Sequence, residues 1–184
     1  MKKLITIILV MCVIITFAQK KLIIYNYSAY TITVSNIFTK KSNNTSSVFT
    51  YPYFMTQPNL VIPANIGIYT LVNTANVNRF PLNSPSSVPY INNWFNVTSA
   101  NTSTNLTSLA AWNTFSNFQQ VFNFVKFSVN SNTGVGLGSG NIGELPFGNS
   151  PLAGPANTWN CIYEKIFPDP INQPNLIEYT IVFF

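Results

Sequence analysis

Few side chains in this chain can move a proton or hold a metal. There is no histidine. That excludes Ser-His-Asp and Cys-His catalysis, and zinc sites that need an imidazole. The acids are Glu144, Glu164, Asp169 and Glu178, all in the last quarter of the 184 residues. Two carboxylates can make a glycosidase pair, and the candidates are Glu144 with Glu164 or Glu178. Nothing in their spacing selects such a pair, and Glu164-Lys165 reads as a solvated ion pair. One Asp cannot build a calcium loop of the DxDxDG type. The expectation is a protein with no catalytic residue, no metal and no cofactor.

Gly138-Ser139-Gly140-Asn141-Ile142-Gly143 matches the pattern GxGxxG. A dinucleotide site needs a helix directly after the glycines, so that its N-terminus meets the pyrophosphate. Here Glu144-Leu145-Pro146 follows, so the stretch reads as a loop or a bulged strand.

The positive signal is aromatic. Tyr51, Tyr53, Tyr90, Trp94 and Trp159 sit beside Asn or Pro, in apparent loops or at strand ends. Exposed rings stack on the apolar faces of sugars while amides and hydroxyls bond the sugar hydroxyls. These five are the ligand-binding candidates. Trp112 belongs to an apolar series, Leu106, Leu109, Trp112, Phe115, Phe118 and Val121, and reads as core.

A second signal is the apolar end of the chain, Leu176 to Phe184. Leu176, Tyr179, Ile181 and Phe183 are the candidates for self-association through an open sheet edge.

These residues need elements to position them. Met1 to Ala18 has Lys2 and Lys3 followed by an uncharged, largely apolar run from Leu4 to Phe17. The run suits a signal-peptide core and is short for a membrane span of ~17–25 residues. Thr16-Phe17-Ala18 suits cleavage before Gln19. The expected organisation is a cleaved signal over 1–18 and one domain over 19–184, secreted or on the outer cell surface, with the periplasm as a further location.

Removing the signal takes two lysines and lowers the formal charge from +5 to +3. No basic stripe exists, so nucleic acid is not an expected partner. The signal also takes Cys12 and leaves Cys161, in an apolar setting, without an intramolecular partner. Charged residues are 7% of the chain, against about 25% in ordinary soluble domains. The polar surface must come from Asn, Ser and Thr.

Short β-branched and aromatic runs alternate with turn residues. Leu22–Tyr25 and Thr31–Ser35 read as a hairpin around Asn26–Tyr30. Further strands are expected at Val48–Phe54, Asn59–Ile62, Ile66–Val72, Tyr90–Val97, Phe122–Val129 and Leu176–Phe184. Loops are expected at Lys40–Ser47, Asn73–Val88, Asn96–Ser108 and Phe147–Asn160. Ser108–Thr114 is expected to form one helical turn, capped by Thr107 or Ser108. The predicted fold is all-β: a single β-sandwich or jelly-roll-like domain of about eight to ten short antiparallel strands.

The function these signals point to is non-catalytic recognition of a glycan or another surface polymer. The alternatives are a self-assembling fibre or coat subunit and a membrane-active pore former or small outer-membrane barrel.

Overall fold

The computed structural model describes residues 19–41, 53–56, 60–65, 67–73, 80, 94–99, 102–115, 120–167 and 176–184. The expected export segment, Cys12, Tyr51, Pro52 and Tyr90 lie outside these residues. So does most of the Asn73–Val88 stretch.

Among the described residues, twelve strands form two packed sheets, an all-β sandwich. The first sheet runs in the order β10 (Leu152–Ala153), β11 (Asn160–Ile166), β12 (Leu176–Phe183), β1 (Gln19–Asn26) and β5 (Gly67–Asn73). The second runs β7 (Thr102–Leu106), β6 (Trp94–Ser99), β3 (Tyr53–Thr56), β2 (Thr31–Lys41), β8 (Gln120–Asn130) and β9 (Gly136–Gly143). A short strand, β4 (Leu60–Ile62), shares one edge of β2 with β3.

One core fills the space between the sheets. Leu22 and Ile24 of β1 meet Tyr179, Ile181 and Phe183 of β12 and Ile32, Val34 and Ile37 of β2. Phe127 of β8 bridges the layers, edge-on to Trp159 at 5.5 Å and to Phe183 at 4.8 Å between ring centroids. Such edge-to-face pairs add to area burial because the positive ring edge meets a negative ring face.

The expected hairpin of β1 and β2 does not form. β1 pairs with β12 and β5, whereas β2 pairs with β3, β4 and β8. The turn between them is a corner that carries the chain from one sheet to the other. Asn26, fully buried, holds it. Its Nδ2 donates to the carbonyls of Tyr30 at 2.8 Å, Pro63 at 2.8 Å and Ile62 at 3.3 Å. Its Oδ1 accepts from the Ser28 amide and hydroxyl. An apolar side chain at this place would remove all of these bonds, leaving the Tyr30 backbone and the Ser28 hydroxyl only the bonds they share with each other.

One pairing departs from the expected antiparallel pattern. β1 and β12 run parallel, from Gln19 beside Leu176 to Asn26 beside Phe183. Parallel neighbours need a long connection, and here it is nearly the whole described chain.

Bulges set which residues face the core. In β2 the alternation Ile32, Val34 gives way to Ile37, Thr39, because Ser35 is an extra residue opposite β8. In β8 Asn123 is the extra residue opposite β2, and its carbonyl accepts from the Glu144 amide at 2.7 Å. In β9 Leu137 is extra, and its carbonyl accepts from the Trp159 indole at 3.4 Å. Each bulge bends its strand and frees backbone groups for other partners.

Two further stretches differ from expectation. Asn96–Ser108, expected as a loop, contains most of β6 and all of β7, paired antiparallel. β7 is Thr-Ser-Thr-Asn-Leu on a sheet edge and is exposed along nearly its whole length. A strand polar on both faces has no apolar alternation to read, yet its backbone bonds form regardless. The Gly-rich stretch is strand β9, in keeping with the bulged-strand reading. The helix α1 (Ser108–Phe115) forms as expected, and Thr107 caps it, its Oγ1 accepting from the Ala110 amide at 3.2 Å.

Candidate functional site

The structure overturns two of the aromatic platforms. Trp94 is 1% exposed and Trp159 3% exposed, and both belong to the core. Trp94 opens β6 and Trp159 immediately precedes β11, so both stand at strand ends. Tyr53 opens β3 opposite Val97. Tyr51 and Tyr90 lie outside the described residues.

The self-association row is also corrected. β12 lies inside its sheet, with β11 on one side and β1 on the other. Tyr179, Ile181 and Phe183 are fully buried and Leu176 is half-buried. Its apolar composition reflects a strand covered by the opposing sheet and flanked on both edges.

The acids do not converge. Glu144 accepts from the Tyr163 hydroxyl at 2.8 Å and lies 3.4 Å from the Lys165 ammonium. Glu164 is exposed and points from the opposite face of β11. The expected Glu164-Lys165 pair is therefore replaced by Glu144 with Lys165, since adjacent residues on a strand face opposite ways. Glu178 pairs with Lys21 at 3.4 Å and accepts from Thr180 at 3.1 Å. Among the described residues no group of three or more Cys, Asp or Glu could hold a metal ion.

Glu144 belongs to a partly buried polar cluster. Lys20, 3% exposed, donates to the Gln120 carbonyl at 2.7 Å. Thr39 donates to the Gln120 side chain at 2.9 Å. Lys165 lies 5.8 Å from the centre of the Tyr179 ring. Burial, and then repulsion from Lys165, bring the Lys20 amine down from 10.5 to about 8. Burial and Glu144 together push the Tyr163 and Tyr179 hydroxyls well above the usual range. Lys20, Thr39, Gln120, Tyr163, Lys165 and Tyr179 stand on strands, Glu144 directly follows β9, and the Glu144 and Lys165 side chains remain partly exposed.

An open polar groove lies on the outer face of the second sheet. Ser35, Lys126, Phe127, Ser128, Ser139, Gly140 and Asn141 line it, and its volume is about 420 Å³. Three strands position these side chains. On β8, Lys126 and Ser128 are two residues apart and share the outer face. On β9, Ser139 and Asn141 do the same. The register sets Ser128 directly beside Ser139 and Lys126 beside Asn141. Ser35, the bulged residue of β2, adds its hydroxyl from the third strand and donates to the Lys126 carbonyl at 3.3 Å.

The groove floor is backbone. A Cβ on Gly140 would lie 3.2 Å from Leu152 and 3.3 Å from Phe127, so the β9 glycine lets the strand approach the core closely. Next to the groove, the Lys126 ammonium lies 5.8 Å from the centre of the Phe38 ring. Phe38 stacks on Phe124 at 4.2 Å, and Phe124 on Phe147 at 6.1 Å. Phe147 is the most exposed of these three rings.

The groove thus presents three hydroxyls, one amide and one ammonium, with no carboxylate, thiol or imidazole. These groups bond a polar ligand in both directions, donating and accepting. Its volume falls in the range of ~300–1,000 Å³ usual for small-ligand sites. Residue types alone hid this site. A single lysine in the aromatic strand QVFNFVKFSVN, and Ser139 alternating with Asn141 between glycines, were the available signals. Their meeting depends on the β8–β9 register. Among the described residues no helix is long and apolar enough to cross a membrane. No protein-family model, curated protein or solved structure matches this chain.

Proposed function

We propose that this chain is a secreted or surface-exposed, non-catalytic protein that binds a glycan in the groove formed by β2, β8 and β9. The observation that carries the reading is the pairing of Ser128 with Ser139 and of Lys126 with Asn141 across an open groove. A sugar presents hydroxyls that both donate and accept, and serine hydroxyls and an asparagine amide match them. Strand-borne side chains hold this array with little entropy left to lose on binding. Phe147 adds an exposed ring farther along the same face, suited to an apolar sugar face. The export-type segment at the N-terminus is the reason for placing the protein where extracellular glycans occur.

The test is binding of the secreted protein to an array of neutral and acidic glycans, beside the variant Ser139→Trp, which fills the groove from an exposed position. Binding by the parent and at least a tenfold loss in the variant, at an unchanged unfolding midpoint, supports the reading. Silence across the array, or full binding by Ser139→Trp, overturns it.

A further inference from the structure

The groove has an uneven charge. Lys126 is its one ionised side chain, and it is exposed. The described acids stand elsewhere and are used elsewhere. Glu144 is held by Tyr163 and Lys165, Glu178 by Lys21, and Glu164 lies on the outer face of the other sheet. Among the described residues no carboxylate forms an ion pair with Lys126. Its stem runs toward the Phe38 ring, whose face attracts the ammonium and holds it beside the groove. Asn141 stands directly opposite and can donate through its amide. Ser128, Ser139 and Ser35 can each donate as well. A ligand group met by an ammonium and several donors, with no anion to repel it, is itself an anion.

We infer that the groove takes an acidic saccharide, with Lys126 as the countercharge to a carboxylate or sulfate on the sugar and Asn141 and the serines as donors around it. This rests on the glycan reading of the same groove. The chemistry of recognition is shared by a uronic acid and a sulfate ester, because both present a compact anion on a ring of hydroxyls. One charge-assisted hydrogen bond is worth enough to separate an acidic sugar from its neutral counterpart by about tenfold or more. The preference must weaken as salt rises, since the lysine is exposed to screening.

Three soluble polymers test the inference: polygalacturonate for the carboxylate, dextran sulfate for the sulfate ester and dextran as the neutral reference. The proteins are the parent, Lys126→Gln, Lys126→Arg, Ser139→Trp and the control Lys21→Gln. Lys21 faces outward on the other sheet, so it reports the effect of net charge alone. At least tenfold tighter binding of one acidic polymer than of dextran supports the inference when Lys126→Gln abolishes the preference and Lys126→Arg and Lys21→Gln keep it. The polymer preferred assigns carboxylate or sulfate. Equal binding of all three polymers, or an acidic preference that survives in Lys126→Gln or falls equally in Lys21→Gln, overturns the inference. In those cases Ser139→Trp still decides the groove: if it removes binding to dextran as well, the glycan site stands and only its acidic preference falls.

Discussion

Leu22 of the first strand lies beside Tyr179 of the last, in parallel register and with both side chains fully buried. Neither strand is an edge: β5 flanks β1 and β11 flanks β12. The first sheet therefore forms only when β1 and β12, far apart along the chain, meet. Removal of residues 176–184 strips β1 and β11 of a shared neighbour and opens the core at Tyr179, Ile181 and Phe183. The truncated chain is expected to lose cooperative unfolding altogether. Circular dichroism with urea titration checks this, and a retained sigmoidal transition would show that β12 is dispensable.

Asn26 concentrates the polar bonding of the sheet-to-sheet corner. Substitution Asn26→Ala leaves three carbonyls and a hydroxyl without this partner in a buried place. Each orphaned group costs about 1–3 kcal/mol. Tyr30 and Ser28 still bond each other, so the expected loss is about 2–3 kcal/mol in urea unfolding. Asn26→Asp keeps the shape but turns the donor into an acceptor against three carbonyls, and it is expected to be no better than alanine. A loss below ~1 kcal/mol in either variant would remove the corner from the list of stabilising features.

The enclosed lysine makes stability depend on pH. Below about pH 8 Lys20 is charged in both folded and unfolded chains, and the cost of burying the charge is fully present. Between about 8 and 10.5 the folded chain releases its proton while the unfolded chain keeps it. The unfolded state then binds more protons, so stability rises with pH. Cys161 acts the other way. Burial pushes its thiol up, so above its ordinary value of 9.0 the unfolded chain ionises first and stability falls. Tyr163 and Tyr179 add to that fall above 10.0. The expected profile rises from pH 8, peaks near 9 and declines. Lys20→Met is expected to lack the rise above pH 8, at the cost of the buried bond that Lys20 donates to the Gln120 carbonyl. An unchanged rise in that variant would assign it to another group.

Cys161 lies on β11 opposite Phe183 and is fully buried. A thiol that is both enclosed and held protonated is a poor nucleophile. Iodoacetamide is expected to leave Cys161 unmodified in the folded protein and to alkylate it fully in urea. The folded protein should run without a Cys161-linked dimer on a non-reducing gel. Rapid alkylation without urea would place the thiol at the surface.

Much of the architecture is legible in local patterns. Leu22-Ile23-Ile24, the run around Phe122–Val129 and the apolar end each mark a strand because β-branched and aromatic side chains fit a pleated, covered surface. Thr107 before an apolar three-residue series marks a helix start because its hydroxyl can cap the first free amides. The β6–β7 hairpin was not legible, since polar residues on both faces leave no alternation. Trp94 and Trp159 are core and not exposed platforms for a related reason. Asn beside Trp94 and Trp159 looks like loop chemistry, but a ring at a strand end can turn inward as readily as outward.

By itself the amino-acid sequence determined the chemistry and the class. A chain without histidine and with few charges builds its polar surface from Ser, Thr and Asn, and its recurring short β-branched runs make strands and little else. Only the tertiary structure decided which strands became neighbours. Strand pairing uses backbone groups that every residue shares, so local sequence does not name the partner. That choice carried β1 and β2 into different sheets, set β1 beside β12, and turned Trp94 and Trp159 inward. It also brought Ser35, Lys126, Ser128, Ser139 and Asn141 from three strands to one groove.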